Sequence, residues 1–202
     1  MVWANGGGVR FFARTETGTG TRTVTVASSH GNAILKGMIL IAIGANLPRA
    51  EGSTPLETCR WAVEHIASIP GVRVVAVSAW YESAPIPPSG QPPYVNGVVA
   101  ATGELDPAVL LAALQGIEAR AGRRRTVANA ARPLDLDIIA MGDLVRDAPD
   151  PILPHPRADA RAFVLLPLRD VAPGWRDPRS GRTVDALVAD LPDQQIRRLE
   201  AD

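Results

Sequence analysis

The succession of segments constrains this chain most. Met38-Ile39-Leu40-Ile41-Ala42-Ile43 is a short, continuously apolar run, the pattern of a central strand buried on both faces. It stops at Gly44-Ala45-Asn46-Leu47-Pro48, a turn rich in backbone-permissive residues. Thr54-Pro55-Leu56-Glu57 then opens a helix. The threonine caps, the proline suits the first helical position and the glutamate completes a capping box. Leu56, Cys59, Val63 and Ile66 recur at helical spacing and give one buried stripe, which ends near Pro70-Gly71. His65 lies beside that stripe and reads as a partly buried structural histidine. Val72 to Trp80 is rich in valine and reads as a strand. Tyr81 to Pro93 is too dense in proline to join a sheet ladder or a helix, and Tyr94 to Thr102 resumes as a strand. Asp106-Pro107 starts a second helix, which buries Leu110, Leu114 and Ile117 and ends at Gly122. Arg132 to Ile139 is the next strand.

Strand, helix, strand, strand, helix, strand is the ferredoxin-like βαββαβ pattern. It predicts an α+β fold with an antiparallel or mixed sheet, both helices on one face, and extra C-terminal elements after Gly142. Those elements include the proline-fixed segment Pro151–Pro156, the run Arg161–Leu168 and a weak helix over Thr183–Leu191. Residues 38–202 read as a single domain. Residues 1–37 are rich in Gly, Thr, Ser and Val, with Glu16 their single acid. They are expected to be a poorly ordered extension or the product of a start assigned too early, since Met38 stands just before the first strand.

The 202 residues are 46% hydrophobic, enough for a packed core, and carry a formal net charge of zero. That balance argues against general nucleic-acid or membrane-surface binding. Lys36 is the only lysine, so cationic chemistry rests on arginine. The lone Cys59 excludes an intrachain disulfide and a cysteine-based zinc site. No apolar run approaches ~18 residues, so no transmembrane helix is expected. A cytoplasmic monomer or weak dimer is the expected state.

Asp135 and Asp137 stand two apart in Arg132-Pro133-Leu134-Asp135-Leu136-Asp137-Ile138-Ile139, so both carboxylates leave the strand on one side, about 6–7 Å apart at their Cα atoms. Such a pair repels unless a cation or proton sits between. Hard oxygen ligands on a rigid strand suit Mg²⁺, which takes one or two carboxylates and completes its shell with water and phosphate oxygens. The alternative is an edge strand whose acids are merely solvated. Gly122-Arg123-Arg124-Arg125 and Arg132 lie upstream, and His155, Arg157 and Arg161 downstream. Guanidiniums around paired acids fit a polyphosphate with its metal; the competing explanation is a surface ion-pair network. Tyr94 and Asn96 project to one face of their strand, where an aromatic ring can stack on a flat heterocycle and an amide can read its edge.

Four blocks, in order, carry a resemblance to a known family. They are Ile41-Ala42-Ile43-Gly44-Ala45-Asn46-Leu47; Tyr81 through Gln91-Pro92-Pro93-Tyr94-Val95-Asn96; Gln115-Gly116-Ile117-Glu118 to Gly122-Arg123-Arg124-Arg125; and Arg132 to Ile139 with Leu153-Pro154-His155-Pro156 and Arg161-Ala162-Phe163-Val164-Leu165. From about Met38 to Trp175 the chain resembles the 6-hydroxymethyl-7,8-dihydropterin pyrophosphokinases of folate biosynthesis. The resemblance implies ATP-dependent transfer of pyrophosphate to the hydroxymethyl group of a dihydropterin, with release of AMP. It implies two Mg²⁺ ions on Asp135 and Asp137. It implies a pterin between Tyr94 and Phe163, read by Asn96 and by the loop around Ser83, Ala84 and Ile86. ATP contacts would fall to Gln115, Glu118, Ile138, His155 and Arg161, and Arg123, Arg125 and Arg132 would approach the phosphates. The chain departs from the family where a Trp-Gly-Pro run is frequent, having Asn129-Ala130-Ala131 instead, and in Pro156, where an aromatic is frequent.

Overall fold

The computed structural model describes residues 10–11, 37–49, 52–123 and 131–200. Arg125, the segment Asn129-Ala130 and nearly all of residues 1–37 therefore lie outside the described residues. In chain order the elements are β1 (Arg10–Phe11), β2 (Met38–Ala45), α1 (Pro55–Ala67), β3 (Arg73–Val77), β4 (Tyr81–Ser83), β5 (Tyr94–Thr102) and α2 (Pro107–Arg120). Then come β6 (Asp135–Met141), a 3-10 turn (Ala158–Ala160), α3 (Ala162–Val171), α4 (Val184–Ala189) and β7 (Ile196–Arg198).

The apolar run of β2 is central, as its composition requires. It pairs antiparallel with β5 on one side and β6 on the other, and β3 pairs antiparallel with β5. The order β3-β5-β2-β6 is the ferredoxin-like arrangement, and the named strand pairs are all antiparallel. Arg10 and Phe11 add to the outer edge of β3.

Alternation along β2 splits the core in two. Ile39, Ile41 and Ile43 share one cluster with Cys59, Val63 and Ile66 of α1 and Leu110, Leu114 and Ile117 of α2. Met38 and Leu40 share the other with Val164, Leu165 and Leu168 of α3 and with Leu187 of α4. Both capped starts form as the sequence indicates. Thr54 accepts from Glu57 N–H, and Glu57 reaches back to Thr54 N–H at 2.7 Å. Asp106 accepts from Ala108 and Val109. Cys59 is fully buried, and burial pushes its thiol up out of the reactive range. His65 bonds through Nδ1 to Trp61 C=O at 2.9 Å, as a structural histidine does. Among the described residues no helix is long and apolar enough to cross a membrane.

Three expectations need correction. Tyr81–Ser83 does join a ladder, pairing with Tyr94–Asn96 of β5 on one edge and Ile196–Arg198 of β7 on the other. The prolines begin only at Pro85, so these three residues keep their N–H donors. The strand carrying the acids begins at Asp135, not Arg132; Pro133 has no N–H, and Arg132 N–H is taken by Asn46 Oδ1 at 2.9 Å. Leu56 is only half-buried, and Thr58 and Ala62 complete the buried stripe of α1 instead.

Leu114 is fully buried between α2 and the sheet, so Leu114→Ala is expected to cost about 2–5 kcal/mol. Thr54→Ala, which removes an exposed cap, is expected to cost about 1 kcal/mol. Chemical denaturation ranks the two; the reverse order would mean that this face is not the core.

Candidate active site

The register of three strands lays out the site. On the face that α3 covers, Gly44 stands opposite Asn96 on β5 and Asp135 on β6. One step along, Ala42 stands opposite Val98 and Asp137. Two rows of small residues flanked by an amide and two acids thus form a floor. A Cβ at Gly44 would lie 3.4 Å from Asn96 Oδ1, in ordinary contact with the amide, so the glycine leaves the floor lower without being required by a clash. Helix α3 begins only at Ala162, and the floor beyond its first turn opens into two clefts.

The first cleft encloses about 670 Å³ including its mouth and is lined by Ser83, Ala84, Ile86, Tyr94, Asn96 and Phe163 above that floor. The second, about 550 Å³, is lined by Arg123, His155, Pro156 and Arg157. Arg132, Asp135, Asp137 and Arg161 line both clefts. The two acids do leave β6 on one side, with Leu136 and Ile138 buried on the other. Their side chains are 28% and 40% exposed, open to a ligand yet partly desolvated.

Positive charge converges on the pair. Asp135 Oδ1 accepts from Arg123 Nη1 at 2.6 Å and from Arg132 Nη1 at 2.9 Å. Arg123 also donates to Glu118. Burial alone would lower the Arg123 guanidinium, but Asp135 and Glu118 outweigh it and the net shift is upward. Burial raises the Asp137 carboxyl above its ordinary value, and the Asp135 charge beside it adds to the rise. His155 Nε2 stands 3.9 Å from Asp137 Oδ2. The His155 backbone N–H donates to Ile139 C=O at 2.8 Å, which pins this loop to the outer edge of β6. Its Nδ1 accepts from Arg157 N–H at 3.2 Å, leaving the neutral ring's proton on Nε2, toward the acid. Burial lowers the His155 imidazole and the Arg161 guanidinium, in each case against the pull of Asp137.

In the first cleft, Asn96 Nδ2 donates to Ser83 Oγ at 3.0 Å. Tyr94 Oη donates to Gln91 Oε1 at 3.1 Å, and burial raises its phenol. The Arg161 guanidinium carbon lies 5.4 Å from the centre of the Phe163 ring. All six residues expected around a pterin line this one cleft.

The residues expected at ATP divide. His155 and Arg161 line the second cleft. Gln115, Glu118 and Ile138 line neither cleft. The Ile138 side chain is in the core. Glu118 is buried, and its Oε1 accepts from Leu136 N–H at 2.8 Å as well as from Arg123. Burial raises its carboxyl, opposed by those two donors.

Two further residues, neither given a specific role by the sequence, bear on the site. Arg157 lines the second cleft. Asn46 is 2% exposed, and beyond accepting from Arg132 it donates to Gln91 Oε1 at 3.2 Å and Pro92 C=O at 3.3 Å. It ties the turn after β2, the proline-rich loop and the Arg132 segment together. In the sequence it shows as an amide at the end of a buried strand, within the first of the blocks that carry the resemblance, with nothing to say what it bonds.

Paired acids under converging guanidiniums, opening beside an aromatic-walled cleft on this sheet, define a transferase that moves a phosphate-bearing group to a small planar acceptor. The family profile of the 7,8-dihydro-6-hydroxymethylpterin-pyrophosphokinases (HPPK) matches residues 40–173, well over half of the chain, and the chain belongs to that family. It is 42% identical over 161 residues to the 2-amino-4-hydroxy-6-hydroxymethyldihydropteridine pyrophosphokinase of Pseudomonas aeruginosa, covering 80% of this chain and 96% of that one. To the protein of the same name in Haemophilus influenzae it is 35% identical over 159 residues, covering 79% and 96%. The crystal structure of Plasmodium falciparum HPPK-DHPS with STZ-DHP matches at a TM-score of 0.57 and 12% identity, which speaks for the fold. The match covers 75% of this chain and 42% of that one.

The bonds of Glu118 make a test. Glu118→Ala leaves Leu136 N–H unpaired in the core and is expected to lose about 1–3 kcal/mol of stability. Glu118→Gln keeps an acceptor there and is expected to lose less. Denaturation curves that put both variants at wild-type stability, with only the KM for ATP raised, would assign this acid to the nucleotide instead.

Proposed function

We propose that the protein transfers the β,γ-pyrophosphoryl group of ATP to the hydroxymethyl oxygen of 6-hydroxymethyl-7,8-dihydropterin, a step of folate biosynthesis. The hydroxyl oxygen bonds to the β-phosphorus, the bond from that phosphorus to the α-phosphate oxygen breaks, AMP leaves, and the hydroxyl proton is released. The observation that carries this reading is the sharing of Asp135, Asp137, Arg132 and Arg161 by both clefts. A ring bound in one and a phosphate chain in the other would meet over the two acids.

The donor set fits Mg²⁺. Two carboxylates share one strand face, and burial together with mutual repulsion disfavours their joint ionisation without a cation. Among the described residues no group of three or more His, Cys, Asp or Glu side chains could hold a metal ion, and Mg²⁺ is the cation that manages with one or two carboxylates plus water and phosphate oxygens. Asp135 and Asp137 would hold it, two ions being expected, and it would neutralise and orient the phosphate oxygens.

The chain's own residues do the rest by positioning. Tyr94 and Phe163 would enclose the pterin ring, with Asn96, Ser83 and Ala84 at its polar edge and Ile86 at its mouth. Arg123, Arg132 and Arg161, joined by Arg125 and Arg157, would spread positive charge over the phosphates. His155, with its proton on Nε2, would donate a hydrogen bond to the nucleotide, whose remaining contacts would fall to Gln115 and the Ile138 backbone, with Glu118 acting on the phosphates only through Arg123. No side chain is assigned as general base, since phosphoryl transfer depends chiefly on positioning and charge neutralisation. The zero net charge supports an enzyme of small molecules, without nucleic-acid or membrane partners; it would act in the cytoplasm as a monomer or weak dimer.

AMP release that requires both the dihydropterin and Mg²⁺ tests the reading. Asp135→Ala and Asp137→Ala are each expected to cut turnover at least ~10³-fold while leaving the unfolding curve near wild type. Chelation of divalent ions is expected to stop the reaction and added Mg²⁺ to restore it. Near wild-type turnover in either variant would sink the assignment.

A further inference from the structure

The first cleft has two facing walls from distant parts of the chain, Ser83–Ala84 and Arg161–Phe163. One dipeptide touches both. Gln194 Oε1 accepts from Ala162 N–H at 3.0 Å, and Gln194 Nε2 donates to Ala160 C=O at 3.0 Å. A single carboxamide thus grips the backbone on either side of Arg161. Helix α3 takes no side-chain cap from Arg161. The first N–H groups of a helix have no partner within it, and Gln194 supplies one from 32 residues away. The next residue turns to the other wall: Gln195 C=O accepts from Ala84 N–H at 3.1 Å. From there β7 continues along β4, with Ile196 opposite Ser83 and Arg197 paired with Glu82 at 2.8 Å. The family profile ends at residue 173, short of this segment.

We propose that Gln194-Gln195 is a strut that sets the spacing of the two walls, and that Gln194 is a positioning residue for substrate. It acts through the backbone of Ala160 and Ala162 to hold Arg161 and Phe163 at a fixed distance from Ser83 and Ala84. The proposal rests on the reading of this cleft as the pterin site. A side chain in this place must both donate and accept. Methionine has nearly the same length and does neither, whereas glutamate keeps the acceptor for Ala162 N–H and loses the donor to Ala160 C=O.

The experiment compares KM and kcat for the dihydropterin at saturating Mg-ATP in the full-length protein. Gln194→Met is expected to raise KM about 5–10-fold, the equivalent of one or two lost hydrogen bonds, with a smaller change in kcat. Gln194→Glu is expected to recover part of that loss. Asp193→Ala, at the exposed neighbouring position, is expected to keep the wild-type KM. A merely structural role would reduce the amount of active enzyme, hence kcat, and leave KM untouched. A wild-type KM in Gln194→Met, or a loss confined to kcat, overturns the proposal. Failure of the functional reading would look different: the unaltered protein would itself not use the pterin, and both claims would fall together.

Discussion

Two carboxylates forced onto one face of a β-strand are the constraint to which the site answers. A strand alternates sides at every residue, so Asp135 and Asp137 cannot turn away from each other while Leu136 and Ile138 stay in the core. The sheet could have buried this strand between two others. It puts β6 at an edge instead, with β2 on one side and, among the described residues, no strand on the other, where the His155 loop bonds to Ile139. The acids therefore keep access to solvent and ligand, although their backbone is held on both edges.

The charge that this creates is balanced by guanidiniums whose own positions depend on buried polar groups. Arg123 lies between Glu118 and Asp135, and Glu118 is fixed by Leu136 N–H, the residue between the two acids. Helix α2 is thereby tied to the middle of the acidic pair. Arg132 is held by its backbone to Asn46, which in turn holds the proline-rich loop beside the first cleft. Arg123 and Arg132 are thus anchored to different parts of the fold, one to α2 and one to the turn after β2. A phosphate chain drawing on Arg123 and Arg132 would compete with Asp135 for the same donors, and a divalent ion on Asp135 would lessen that competition by taking over the carboxylate's charge.

What the sequence disclosed follows from how local each signal is. The side on which Asp135 and Asp137 lie needs only the two-residue repeat of a strand, and the capped starts at Thr54 and Asp106 need only neighbours within one turn. Both were legible. The ladder at Tyr81–Ser83 was not, because its partners are β5 and the distant β7, and the prolines that follow dominate the local composition. The roles of Asn46 and Gln194 were illegible for the same reason: an amide shows in the sequence, but its partners, 86 residues away for one and 32 for the other, do not. Glu118 shows the reverse. Its residue type suits a ligand contact, yet the packing of α2 against β6 directs its carboxylate to a backbone N–H and an arginine.

The location of the clefts is a matter of incomplete coverage. One face of the sheet is sealed from end to end by α1 and α2, through Ile39, Ile41 and Ile43. The other is sealed by α3 and α4 only as far as Met38 and Leu40. Beyond Leu40 the strand switches to Ala42 and Gly44, which are too small to need a helix above them, and Asn96, Asp135 and Asp137 are too polar to accept one. A ferredoxin-like sheet with Leu at 42 and 44 and Val at 135 and 137 would call for a longer α3 and would have no cleft. The site exists because the large apolar residues of β2 on this face end at Leu40, five residues before the strand does, and the C-terminal segment that borders the opening holds its walls apart where no helix could.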